Sequence, residues 1–324
     1  MNWLLFIAKR LIQMIITLAI IVGGAFALMK LAPGSFFNAN AFSSSTAYTT
    51  LFQTQPKLAQ HIMDLMDQRY GFTTPIYKQI WGYIWNTLTF QFGYSFEYPS
   101  TPIIDTLKTV FPISFILAIG ATVFSVVIGI PLGIWAALKR GGWLDTTLTT
   151  LAMVFQAIPS YLLAVGIIML FGVVFPGFLP ISGWNSPASA ILPMFTLALG
   201  GIAGMTMFMR GSLIDTMKQE YIRTAKSKGL SYWSVVMGHA FRNSLTAVIT
   251  VLGPQIAANV VGTIFVETLF SIPGMGQYMA NAFVTDDYPL ALTSVFIGTL
   301  LILVFNLLVD ITYKLLDPRV RLDS

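Results

Sequence analysis

The sequence holds no cysteine, only two histidines and few charges, with 10% of its 324 residues Asp, Glu, Lys or Arg. Without cysteine there is no disulfide, no thiolate metal site and no cysteine nucleophile. His61 and His239 stand far apart in the chain, so no metal-ligand cluster is expected. A soluble globular chain carries about a quarter charged residues; a chain that is 56% hydrophobic has lipid for much of its solvent. The net charge of +5 is then no sign of nucleic acid, because basic residues in membrane proteins mainly set orientation. No Gly-x-x-x-x-Gly-Lys-Ser/Thr phosphate loop occurs, so ATP would have to be bound by another polypeptide.

What the sequence does have is long apolar runs. Six stretches match the roughly 20 residues needed to cross the hydrocarbon core: Leu11–Met29, Ile113–Leu138, Thr147–Phe175, Ala188–Met209, Ser244–Val266 and Tyr288–Val309. None of them contains Asp, Glu, Lys, Arg or His. They predict an all-α polytopic membrane protein of six helices, each satisfying its own backbone groups; a β-barrel would need short alternating strands. The first run follows Lys9 and Arg10 and is longer than the roughly 7–15 residues of a signal core, so it reads as a retained helix. Lys and Arg collect in alternate segments: Lys9 and Arg10, Lys139 and Arg140, the stretch Arg210–Arg242, then Lys314, Arg319 and Arg321. Loops 176–187 and 267–287 have neither. By the positive-inside rule both termini are expected on the cytoplasmic side of a bacterial plasma membrane. A proton-driven peptide carrier would want titratable groups within the bundle. A channel would want a filter or charged ring, and an intramembrane hydrolase a nucleophile with its base. The spans offer none of these.

The domain reading follows. Residues 1–30 are the amino end and first helix, 31–112 a long external segment, 113–313 a five-helix core, and 314–324 a cytoplasmic tail. In the external segment Phe90, Phe92, Tyr94, Phe96 and Tyr98 alternate with polar or small residues, an extended pattern. It reads first as an interfacial aromatic belt and alternatively as a docking surface. Ile103–Val110 looks like a short amphipathic helix on the membrane, with Pro112 starting the second span.

The cytoplasmic loop 210–243 is the richest segment. Its first part should be helical up to Lys228, with Gly229 placed for a left-handed C-cap. Ser231 can cap a second short helix running to about Arg242. Thr224 and Ala225 are small enough to let another surface approach.

The run Tyr221-Ile-Arg-Thr-Ala-Lys-Ser-Lys-Gly-Leu230, followed by His239-Ala-Phe-Arg-Asn243, resembles the EAA loop of ABC importer permeases, in the form found in the dipeptide/oligopeptide/nickel branch. The general pattern has Glu where this chain has Arg223, and Leu-Pro in place of Phe241-Arg242; both departures are usual in that branch. Leu31-Ala-Pro-Gly34, Tyr70–Tyr77, Phe92-Gly-Tyr-Ser95, Ile128–Gly133, Lys139–Asp145, Leu179–Gly183, Val266–Gly276, Asp287-Tyr-Pro289 and Asp317-Pro-Arg319 are similar to other segments of the branch in the same order. The first-subunit (B-type) member fits best, because it carries the long external segment.

The resemblance implies a type I importer fold and half of a translocation path for dipeptides or oligopeptides. It further implies a second, C-type permease, two ATPase subunits that bind ATP and Mg, and an extracytoplasmic peptide-binding protein. Nickel chelates are the alternative cargo. In the coupling loop Glu220, Tyr221, Arg223, Thr224, Ala225, Lys226, Lys228, Gly229, His239, Arg242 and Asn243 are implied to receive the ATPase. Thr224, Ala225 and Gly229 would permit the fit, and Arg223, Lys226 and Lys228 would supply charge. His239 reads as a structural donor. Within the spans Gln156, Gln255 and Asn259 either line a wet path or bind helices together, and Asn306 binds helices. Glu267 reads as an external gate or a solvated helix end; Asp286 and Asp287 read as surface residues near the outer mouth.

Overall fold

A computed structural model of the chain describes residues 3–31, 46–70, 74–98, 100–285 and 287–316. Several sequence readings fall on 32–34, 71–73, 286 and 317–324, outside the described residues. In chain order the helices are α1 (Trp3–Leu31), α2 (Thr46–Thr54), α3 (Pro56–Tyr70), α4 (Ile76–Leu88), α5 (Ile103–Leu138), α6 (Trp143–Ala157) and α7 (Ser160–Met169). A π turn, Leu170–Val174, and a 3-10 turn, Pro187–Ala190, precede α8 (Ile191–Thr216) and α9 (Glu220–Ser227). Then come α10 (Tyr232–Ser234), a π segment (Val235–Phe241), α11 (Arg242–Leu269), α12 (Met275–Val284) and α13 (Tyr288–Leu316). Among the described residues no strand forms beyond one bridge, Tyr94 to Pro102.

Among the described residues five helical stretches are long and apolar enough to cross a membrane: Leu5–Met29, Ile103–Leu138, Pro187–Thr216, Val248–Leu269 and Tyr288–Thr312. The third expected span departs from the sequence reading. In place of one rod over Thr147–Phe175, α6 and the Ser160–Val174 stretch meet at a bend of 105°. Pro159 sits at the bend and brings no N–H to the helical ladder. Ile103–Val110 is not a separate surface helix but the first part of the 36-residue α5. Its Ile103, Leu107 and Val110 are buried in an apolar core, and that packing carries the helix through Pro112.

The chain divides into two compact units, Met1–Ile113 with Pro273–Leu303, and Ser114–Ile272 with Val304–Ser324. In the first, the apolar core includes Phe26, Tyr83, Phe92, Phe96, Ile103 and Phe296. Helix α4 meets α1 where Gly23 faces Ile80 and Ile84. Phe92 and Phe96 are buried, with Phe92 packed on Phe296 at 5.8 Å between ring centroids. Phe92 and Phe96 are therefore core and not part of a lipid-facing belt, while Phe90 and Tyr98 at the two ends of the segment are exposed. Positive φ at Phe90 and Gly93 turns the backbone, so the alternating aromatics do not share one face as an extended segment would place them. Further exposed aromatics lie on α4, where Tyr77, Trp81 and Trp85 share one helical face.

In the second unit α8 is the central helix. It approaches α5 closely along Gly129 and Gly133, where a Cβ would stand 2.8 Å from the Ile202 carbonyl oxygen and 2.6 Å from that of Thr206. Small residues four apart are what lets two membrane helices touch backbone to backbone. Helix α11 is pinned to the Val304–Leu316 part of α13 in the same way, with Gly253 against Val309 and the Phe305 carbonyl. The following residue, Pro254, lies inside α11.

Candidate functional site

The 210–243 loop folds back on its own unit. Helix α8 does not run on to Lys228; it stops at Thr216, and Gln219 takes an extended conformation (φ −69°, ψ 150°) before α9 begins. The break turns α9 so that Ile222 and Ala225 are buried with Met205, Met209, Leu213, Val235 and Ala240. A straight continuation would forgo this apolar burial, the main source of helix stability in proteins. Lys228 closes α9 and Gly229 follows at φ +79°, the left-handed corner that glycine adopts without steric cost. Ser231 Oγ accepts from the Ser234 N–H at 3.3 Å and starts the next segment. That segment is not a separate short helix. It passes through the π turn directly into α11, because nothing between Ser231 and Leu269 breaks the chain before Pro254.

Two faces result. Inward are Ile222, Ala225, Val235, Val236 and Ala240; outward are Tyr221, Arg223, Thr224, Lys226, Lys228, Gly229, Leu230, Tyr232, Trp233, Met237, His239, Arg242 and Asn243. Ala225, expected to leave room for another surface, instead fits α9 against its own unit at 7% exposure. Its small size serves internal packing, and the 3.6-residue period puts it on the side of Ile222. Glu220 pairs with Arg223 at 3.1 Å, both well exposed, a pair worth little in water. Asn243 Nδ2 donates to the Tyr221 hydroxyl at 2.6 Å and ties α9 to the start of α11. The His239 side chain is exposed and donates no hydrogen bond to any described residue, so it is not a structural donor within this loop. The outer surface combines exposed Leu230, Tyr232, Trp233 and Met237 with the cations Arg223, Lys226, Lys228 and Arg242. Contiguous exposed apolar side chains rimmed by charge mark an interaction surface. Gly229→Ala should lower stability by about 1 kcal/mol. Nothing stands within 4 Å of its Cβ position, so the loss comes from φ alone; hydrogen exchange across α9 would register it, and an unchanged profile would refute the left-handed requirement.

The span polar residues do not form one group. Asn259 is buried and donates to Thr122 Oγ1 at 3.0 Å, while Gln255 donates to Asn259 at 3.2 Å. This chain of bonds joins α11 to α5 and is helix-binding. Gln156, at the last turn of α6, is exposed; its Nε2 lies 3.3 Å from the Cβ position of Gly204 on α8. Glu267 is fully buried, so it is not a solvated helix end.

Asp145 has no role in the sequence reading, which places Asp287 wrongly at the surface. Asp145, in the first turn of α6, holds Arg210 of α8 bidentately: Nε to Oδ1 at 2.5 Å and Nη2 to Oδ2 at 2.8 Å. The Gly141 N–H donates to the same Oδ2 at 2.9 Å. A single Arg following an apolar run was counted for orientation, and its partner 65 residues away left no local signal. Asp287 is not a surface residue but fully buried. It accepts from the Ser95 hydroxyl, from the N–H groups of Phe96 (3.0 Å) and Glu97 (3.3 Å), and from the N–H of Leu290 (3.3 Å) at the start of α13. Burial raises its pKa above the ordinary carboxylate value, against the lowering effect of these four donors.

A family described as binding-protein-dependent transport system inner membrane component matches residues 129–322. The chain is 36% identical over 319 residues to the oligopeptide transport system permease protein OppB of Haemophilus influenzae, covering 98% of this chain and 99% of that one. It is 37% identical over 318 residues to the dipeptide transport system permease protein DppB of Bacillus subtilis, covering 98% of each. It is 33% identical over 318 residues to OppB of Escherichia coli strain K12, covering 98% and 99%. With a family match over more than half its length and relatives above 30% identity end to end, the chain belongs to the binding-protein-dependent transport system inner membrane components, and is a multi-pass permease subunit of the type I ABC fold, a transport component and not an enzyme.

Proposed function

We propose that this chain is the B-type permease subunit of an ATP-driven importer of dipeptides or oligopeptides, and that its 210–243 loop receives the motion of a separate ATPase. The cargo rests on the relatives, which are named for oligopeptide and dipeptide transport. The coupling role rests on one observation: the exposed Leu230, Tyr232, Trp233 and Met237 surface, rimmed by Arg223, Lys226, Lys228 and Arg242 and held at the Gly229 corner. Large apolar side chains there are suited to a protein partner.

In the assembled system the chain pairs with a C-type permease, two ATPases hold ATP and Mg, and a binding protein delivers peptide from outside. The distribution of Lys and Arg supports cytoplasmic termini. ATP-driven closure of the ATPases biases the bundle between inward-open and outward-open forms through the loop.

The test uses the complete complex in lipid nanodiscs with its binding protein. Leu230→Asp and Trp233→Asp should each cut peptide-stimulated ATP hydrolysis about tenfold or more, as for a buried interface anchor, while the subunits still copurify. Ala225→Arg is unsuitable, since Ala225 is buried in its own unit and the variant would disrupt the loop itself. Full stimulation in both variants would overturn the coupling role. Peptide uptake by the chain alone, driven by a proton gradient and indifferent to ATP, would overturn the importer.

A further inference from the structure

The bend in the third span has a use that a straight helix would not. Gln156 stands in the last turn before Pro159, near the middle of the apolar run Thr147–Phe175. Its side chain is exposed and makes no hydrogen bond with any described residue. Pro159 brings no N–H to the Phe155 carbonyl one turn earlier. An unsatisfied amide and an interrupted helix are not tolerated facing hydrocarbon; irregular backbone at membrane depth is found buried in protein or lining a water-filled cavity.

Gln156 points to an open face of α8. Gly200, Gly204, Phe208, Gly211 and Asp215 fall on one side of that helix. Ala198, Met205, Met209 and Leu213, at the complementary positions, are buried. A Cβ at Gly200 or Gly211 would meet nothing within 4 Å, and at Gly204 it would meet only the Gln156 amide at 3.3 Å. Towards the 210–243 loop the same face deepens into a cleft of about 610 Å³ lined by Met207, Phe208, Gly211, Asp215 and Gln219 among others.

We propose that this face is the water-lined wall along which cargo passes, and that Gln156 is its contact for the backbone amides of a peptide. A carboxamide can donate to a carbonyl and accept from an N–H, so it can grip a peptide backbone whatever the side chains are. The glycines keep the wall open to bulky side chains, and Phe208, 52% exposed, offers them an apolar contact. The identity of the cargo rests on the importer reading; the wet wall does not.

The absence of cysteine makes the test direct. Single replacements Gln156→Cys, Gly200→Cys and Gly211→Cys on the wall, with Val154→Cys on the other side of α6 and Val173→Cys as lipid-facing controls, are placed in the assembled complex in proteoliposomes. Labelling of this chain by a membrane-impermeant methanethiosulfonate is then timed. The wall positions should react about tenfold faster than the controls, because a thiol in apolar surroundings is unreactive. With Gln156 intact, a tripeptide supplied with the binding protein should slow labelling at Gly200→Cys more than its backbone N-methylated analogue does, and that difference should vanish when Gln156→Leu is added. Equal rates at wall and control positions overturn the wall. Fast labelling that the tripeptide leaves unchanged, or a difference between the two peptides that survives Gln156→Leu, in a complex that does take up peptide, overturns the Gln156 contact. If the unaltered complex takes up no peptide, the importer reading falls, and the wall is still decided by the labelling rates.

Discussion

Asp287→Asn is expected to destabilise the unit formed by Met1–Ile113 and Pro273–Leu303 almost as much as Asp287→Ala. Each carboxylate oxygen accepts two donors: Oδ1 serves the N–H groups of Phe96 and Leu290, and Oδ2 the Ser95 hydroxyl and the Glu97 N–H. Asparagine offers one acceptor oxygen; of the donors its N–H₂ then faces, only the Ser95 hydroxyl can turn to accept, and backbone N–H groups are left stranded. Orphaning buried donors costs about 1–3 kcal/mol each, so a loss of about 2–4 kcal/mol is expected for either variant. The damage should be local, since Ser95 Oγ also accepts the Tyr98 N–H at 2.9 Å and the 95–98 segment depends on this anchor. Thermal unfolding of the purified protein, with hydrogen exchange at Phe96 and Glu97, reads both effects. An asparagine variant that melts with the wild type would mean that water already serves these donors.

Asp145→Ala is expected to cost about 3 kcal/mol, the usual penalty for stranding one partner of a buried ion pair. The aspartate side chain is 5% exposed and the arginine 27%, so solvent cannot rehydrate the stranded guanidinium fully. Arg210→Lys should fail to restore stability, because an ammonium cannot make the two parallel bonds of the guanidinium fork. Asp145→Leu combined with Arg210→Met should recover much of the loss, as apolar replacements of buried pairs do. The Gly141 N–H would lose its acceptor in every Asp145 variant, so recovery should stop short of the wild type. A double-mutant cycle by thermal denaturation decides the matter: a coupling energy near zero between positions 145 and 210 would show that the pair holds nothing together.

These two carboxylates also mark where the sequence stopped being informative. The spans were legible because charge is missing from long runs, and hydrocarbon imposes that pattern locally. The Gly229 corner and the Ser231 cap were legible for the same reason, being chemistry of adjacent residues. Asp287 binds Ser95 across 192 positions, and no local pattern announces such a pair. Phe92 and Phe96 stand in an alternating run, yet a period of two does not say whether a covered side chain meets lipid or protein. Ala225 shows a subtler failure. Smallness suggests close approach but not by whom, and Ile222 three residues earlier was the better guide to the buried side. The stop at Thr216 and the π turn have no sequence marker; each follows from packing with Met209, Leu213 and Val235.

The continuity of the segment from Tyr232 to Leu269 gives it the mechanics of a lever. Gly253 is clamped against Val309 and the Phe305 carbonyl, and the helix runs on past the neighbouring Pro254 to Leu269. With a fulcrum there, the arm towards Tyr232 is about 33 Å long and the arm towards Leu269 about 22 Å, at 1.5 Å per residue. A push of about 3 Å on the long arm would emerge as about 2 Å at the far end with proportionately greater force. The geometry trades travel for thrust, which suits a short, firm stroke at the Glu267 end better than a wide swing.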